Sequence, residues 1–194
     1  MGYVKKQIDI LVKEHGSVKA ARSFANNWYS NGIRDRKVNE VSSVRERFRP
    51  GKIYSFDYSP ITKDLQWYDK HPVVLALDSQ NDNDLGVNLN LLPIRIKEQL
   101  LDDLYGALSG QIKSAKGKSA ASDKPLKITY DGIKAYLDRY GFGFAIRQYK
   151  PNRKTSQAVV SYDAWPKIAL ANLIELNGAS VNDVRLLHSQ YMRN

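Results

Sequence analysis

Apolar residues in the first segment fall at helical spacing. Ile8, Leu11 and Val12 lie on one stripe that stops at His15-Gly16, and Ser17 is placed to cap a second helix. In that helix Ala21, Phe24, Ala25 and Trp28 follow i, i+3, i+4, i+7. Asn31-Gly32 closes it. The stretch LVKEHGSVKAARSF resembles the opening helices of a helix-turn-helix. The segment after it, NGIRDRKVNEVSSVRERFRP, is neither a short turn nor an apolar-anchored helix, so a plain helical hairpin or a bent helix is expected. From Pro50 the period changes to two. Residues 52–58 alternate Tyr54, Phe56 and Tyr58 with Ser55 and Asp57; HPVVLALD at 71–78 is β-branched and apolar; LGVNLNLLP at 85–93 alternates again, with a turn, SQNDNDLG, before it. Three short strands joined by turn-rich loops predict a small, bent antiparallel sheet of the SH3-like barrel kind.

After Pro93, Leu101, Leu104, Leu108 and Ile112 share a helical face that runs out into SAKGKSAASDKP, a stretch with no apolar anchor that predicts a mobile loop over 113–127. Thr129 is placed to cap a helix bearing Ile133, Tyr136, Leu137 and Tyr140, with Gly141 as its stop. GFAIRQYK and SQAVVSYD predict two strands around Pro151-Asn152, a hairpin with a basic tip. Asp163-Trp165-Pro166 opens another helical segment, and Ser180 with Asp183 a last one. The expected class is α+β: a bent sheet flanked by helices over 50–194, preceded by a basic helical arm over 1–49.

Charge changes the picture more than composition does. The chain of 194 residues carries a formal charge of +10. Residues 1–49 hold 11 Lys and Arg against 5 Asp and Glu, residues 50–110 hold 5 against 9, and residues 111–194 hold 14 against 6. A mildly acidic centre between basic flanks is the footprint of a polyanionic partner, or of acidic protein neighbours. The candidate phosphate-contacting residues are Arg34, Arg36, Lys37, Arg45, Arg47 and Arg49 in the arm, Lys113, Lys116 and Lys118 before the loop, and Lys150, Arg153 and Lys154 at the hairpin tip. The aromatic strand at 54–58 is read as packing: Asp57, Asp64 and Asp69 nearby would repel a nucleic-acid backbone from a stacking platform.

The chemistry of catalysis finds little to work with. There is no cysteine, hence no disulfide or thiolate, as suits a reducing compartment. The longest apolar run, Val73 to Leu77, is far short of the roughly 20 residues that cross a bilayer. His15, His71 and His188 have no second histidine at i+3 or i+4, NDND lacks the closing Glu of a calcium loop, and GFGF lacks the third glycine of a dinucleotide loop. No catalytic residue, metal or cofactor is expected.

Two resemblances remain. PGKIYSFDYSP followed by HPVVLALD is similar to the opening of the small barrel in MazF-like toxin endoribonucleases, which rely on a basic residue between those strands; here that loop, ITKDLQWYDK, is mixed in charge. A longer match carries further. Pro50, Gly51, Tyr54, Tyr58, Pro60, Thr62, Lys63, Asp64, Tyr68, Asp69, Pro72, Gly86, Asn88, Leu89, Leu92, Pro93 and Trp165 fit a pattern spread over residues 48–172 that resembles a family of virion-associated proteins of T-even-like tailed phages, labelled DNA end protectors. The chain departs from it at Ser59-Pro60-Ile61 and at His71. The resemblance implies a non-enzymatic virion component, assembled in the host cytoplasm and present in several copies. It would contact the double-stranded DNA backbone without base readout at the head-tail junction, or else serve as a neck, tail or baseplate protein making only protein contacts.

Overall fold

The computed structural model describes residues 2–33, 41–43, 46–59, 69–80, 82–116 and 130–171. Helix α1 spans Tyr3–Glu14 and α2 spans Val18–Trp28. Between them Gly16 takes a left-handed φ of +77°, where the α1 stop needs a residue without Cβ, and Ser17 Oγ accepts the Ala20 N–H at 3.1 Å. The start of α1 has no cap of its own. Asp102, from the later helix α3 (Ile94–Lys116), accepts the Val4 N–H at 2.7 Å and sets a carboxylate at the positive end of α1. Neither helix stands apart: Val4, Ile8, Ala21, Ala25 and Trp28 bury in the same core as the sheet.

The strands are β1 (Val41–Ser43), β2 (Ile53–Tyr58), β3 (Val73–Gln80), β4 (Asn83–Asn88), β5 (Ile146–Tyr149) and β6 (Lys154–Val160), all antiparallel in the order β1-β6-β2-β3-β4-β5. The expected hairpin of the last two strands is not there. β5 pairs with β4, β6 pairs with β2 and β1, and a 3-10 turn, Pro151–Arg153, joins them from opposite sides of the sheet. Five residues reach at most about 17 Å, whereas four strand spacings laid flat come to about 19 Å, so the sheet must curl to let this turn close. The curl is visible in side chains: Lys154 on β6 reaches Asp84 on β4 at 2.5 Å, across two intervening strands. Bulges between Ser55 and Asp57 and between Ala76 and Asp78 bend the ladder. The result is an open, strongly curled sheet with SH3-like strand order, the bent antiparallel sheet predicted from the sequence.

Alternation gives the sheet two apolar faces. Phe48, Tyr54, Phe56, Val74, Ala76 and Tyr149 fill the concave side, with Phe48 stacked on Tyr54 at 4.8 Å between centroids. Ile53, Val73, Leu75, Leu77, Val87 and Val160 face the helices: α1, α2, α3, α4 (Tyr130–Arg139) and α5 (Trp165–Leu170). Gly86 allows the close approach of β3 and β4, because a Cβ there would lie 2.3 Å from Val74 Cγ1 and 2.7 Å from the Leu75 carbonyl oxygen. Trp165 is fully buried. Lys97 is buried too, and donates to the Ala171 carbonyl oxygen just past the end of α5, while burial pulls its ammonium down to about 7. Helix α3 continues through Lys113 and Lys116, into the stretch expected to be loop; residues 117–129 and the terminal helix expected from Ser180 lie outside the described residues.

Candidate nucleic-acid interface at the barrel mouth

The turn between β3 and β4 brings a carboxylate inside. Asp84 has no exposed side-chain surface and accepts from Arg47 Nε at 2.8 Å, Lys154 Nζ at 2.5 Å, Ser79 Oγ at 2.6 Å and the Phe48 N–H at 3.3 Å. Burial alone would raise its pKa, but the hydrogen bonds from Lys154, Ser79 and Arg47 outweigh it and hold the carboxyl below its usual range. Lys154 does not sit at a solvent tip as the sequence implied. Its ammonium lies inside the barrel, 4.2 Å from the Phe48 ring centroid and 5.5 Å from that of Phe56. Ser156 is the reason. With φ +56° it occupies a bulge at which β6 gains a residue against β2, so that Lys154 no longer shares the outer face of Ala158 and Val160.

Arg47 is half-exposed and held at two points, by Asp84 and by donation from Nη2 to the Asn83 carbonyl oxygen at 2.8 Å. Beside it opens a cleft of about 510 Å³ lined by Arg47, Asp82, Lys150, Pro151, Asn152 and Arg153. The 3-10 turn that carries Lys150 and Arg153 is tied down: Arg153 N–H donates to the Lys150 carbonyl at 3.0 Å, Ser59 N–H to the Arg153 carbonyl at 3.1 Å, and the Lys150 N–H to Tyr58 Oη at 3.4 Å. The side chains of Lys150 and Arg153 form no ion pair among the described residues.

Of the twelve cations picked out in the sequence, three therefore converge on one cleft: Arg47, Lys150 and Arg153. Arg49 lies apart, paired with Glu46 at 2.9 Å, where Glu46 also takes Lys52 at 3.2 Å and the Tyr54 hydroxyl at 2.8 Å. Lys113 and Lys116 lie in the last turns of α3, with side chains outside the description. Arg34, Arg36, Lys37, Arg45 and Lys118 lie outside the described residues. In the sequence Asp82 and Asp84 stand in a turn, SQNDNDLG; only the pairing of distant segments reveals their roles.

A second polar cluster sits at the other side of β4. Asp69, nearly inaccessible, accepts from Asn88 Nδ2 at 3.2 Å, Asn90 Nδ2 at 2.5 Å and the His71 N–H at 3.0 Å; burial raises its pKa to about 6 against the pull of those bonds. Among the described residues no group of His, Cys, Asp or Glu is arranged to hold a metal ion.

Comparison with known families gives one match: residues 3–178 fit the family described as phage T4 terminal DNA protecting protein. The chain belongs to that family. The matched region takes in the blocks at 48–172 that carried the sequence resemblance, along with both N-terminal helices. No curated protein and no solved structure matches the chain. Membership in the terminal DNA protecting family makes this a phage protein with a structural, DNA-protecting role, and fits the presence of a cation-lined cleft on a rigid turn.

Proposed function

We propose that this terminal DNA protecting family member shields phage DNA by gripping its phosphate backbone without reading bases, at the head-tail junction of the virion and without catalysing a reaction. The observation that carries the reading is the cleft, where Lys150 and Arg153 stand without an ion pair among the described residues beside an anchored Arg47. Lys and Arg on the flanks, Arg34, Arg36, Lys37 and Arg45 among them, would extend the contact along the backbone. Each neutralised phosphate releases counterions, and this, with no base contact, suffices for nonspecific binding.

Retention on double-stranded DNA at increasing salt tests it. With six or more phosphate contacts, affinity should fall roughly three to five decades between about 50 and 200 mM salt, alike for unrelated sequences. Reversing Lys150 and Arg153 together with Arg34, Arg36, Lys37 and Arg45 to Glu should abolish retention with the unfolding midpoint unchanged. Arg47 is left out of that set because reversal would set a second carboxylate against buried Asp84. Absence of retention at low salt, or retention indifferent to salt, would leave only contacts with neck, tail or baseplate proteins.

A further inference from the structure

We propose that the face where the start of α5 meets α1 and α3 docks the basic turn of a second copy of this chain, joining copies head to tail. Rings make up the middle of that face. Tyr3 on α1 stacks on Tyr105 of α3 with centroids 4.0 Å apart, Tyr162 is exposed, and Tyr105 and Tyr162 lie against the buried Trp165 at 6.4 and 4.9 Å. Tyrosine and tryptophan are enriched at the centres of protein interfaces. Carboxylates surround the rings. Asp163 follows Tyr162, Asp102 seats the start of α1, and Glu98 lies one turn before Asp102 on the face of α3 that carries Tyr105. Burial, Tyr105 and Asp163 raise the Tyr3 hydroxyl above its usual range, which places the Asp163 carboxylate beside the stacked pair.

Charge names the occupant. In a chain of formal charge +10, none of Glu98, Asp102 and Asp163 forms an ion pair among the described residues, although Lys5, Lys6 and Arg95 stand in neighbouring turns. The complement of such a face is a pair of cations that can lie on tyrosine rings. Lys150 and Arg153 are such a pair. Their side chains also lack an ion pair among the described residues, and their turn is tied down at Tyr58 and Ser59, so little motion remains to be lost on docking. They cannot reach the face of their own molecule. The turn precedes β6 and Tyr162 follows it, so the whole strand, Lys154–Val160, about 20 Å long, lies between them. A tip at one end of β6 and its complement at the other define a heterologous contact, in which each copy gives its tip to the next.

The experiment is sedimentation equilibrium of the full chain without DNA, which would compete for the tip, so its outcome is separate from that of the backbone reading. A contact made by so few groups is weak: association with a Kd on the order of 10–100 μM is expected at about 50 mM salt, weakening about tenfold at about 500 mM as screening shortens. Tyr162→Ala with Asp163→Asn removes the face, and Lys150→Gln with Arg153→Gln removes the tip. Each double variant alone should be monomeric. Mixed in equal amounts they should form a dimer that grows no further, because the intact tip of the first seats on the intact face of the second. Melting curves matching the wild type show that the variants fold, and the single changes Tyr162→Ala and Arg153→Gln replace a double variant that melts early. A wild-type chain that stays monomeric throughout the range overturns the second copy as occupant. Association of either variant with itself, or no dimer in the mixture, overturns the head-to-tail contact.

Discussion

Asp84 lies on β4, 37 residues from Arg47 and 70 from Lys154, and draws both cations onto one carboxylate with no solvent exposure. Replacing it with Asn keeps the shape but strands the Lys154 ammonium between the rings of Phe48 and Phe56. Removing one partner of a buried pair costs about 3–5 kcal/mol, because the other charge is left uncompensated. Asp84→Asn should therefore lower the unfolding free energy measured by urea titration by an amount of that order, and Asp84→Asn combined with Lys154→Met should recover much of it, since the stranded charge is then gone. A neutral single variant, or a double variant no better than the single, would show that the pair does not hold the barrel together. The same carboxylate positions Arg47, so the stability of the fold and the placement of the cleft depend on one residue.

At the scale of elements, Asp69 ties the start of β3 to the 3-10 turn Leu89–Leu91 through Asn88, Asn90 and the His71 N–H, while the Tyr29 hydroxyl donates to the His71 carbonyl at 2.7 Å and so brings in the end of α2. Its carboxyl is raised from 3.8 to about 6, so the folded state holds this proton more tightly than the unfolded chain does. Its share of stability is thus fully present below about pH 3.8 and is lost as pH rises through about 6, a change of about 3 kcal/mol at most. The measurable consequence is that the unfolding free energy of the wild type, less that of Asp69→Asn, falls between about pH 4 and 7; a flat difference would mean the carboxyl titrates normally. The elements joined here were legible because their signals are local: the stripe of α1, the Ser17 cap, the alternation from Tyr54 to Tyr58. What links them was not. The pairing of β6 with β2 instead of β5 is decided by a curl spread over the whole sheet, and the inward turn of Lys154 by a single bulge at Ser156, which reverses the parity on which alternation is read. The cleft was half legible for the same reason. Lys150 and Arg153 stood out as a basic tip, but Arg47 joins them only because Asp84 reaches across the barrel.

For the whole molecule, the shared core decides how far the basic N-terminal region can be treated as an appendage. Trp28, Ala25, Ala21, Ile8 and Val4 belong to one core with Trp165, Leu101, Leu104 and the outer face of the sheet, and Asp102 caps α1 from α3, so α1 and α2 pack against α3 and α5 and help to close that core. Removing α1 and α2 takes Ile8 and Trp28 out of that core and exposes Leu101, Leu104 and Trp165, a loss comparable to a domain's margin of about 5–15 kcal/mol. Deleting residues 1–33 is therefore expected to leave no folded barrel: the remainder should lose its near-ultraviolet signal, bind a hydrophobic dye and aggregate, instead of retaining a sheet that still holds DNA. In the intact chain the same packing requires helical and aromatic signals to melt together in one cooperative transition. Two separated transitions, or a soluble, ordered fragment beginning near Pro50, would show that the barrel folds alone and that the helices are an arm after all. The cleft gives this prediction its functional weight. Arg47 lies in the segment that leads into β2, whose Ile53 packs into the core those helices share, so a phosphate-gripping surface made of Arg47, Lys150 and Arg153 should vanish with the helices although none of them lines it.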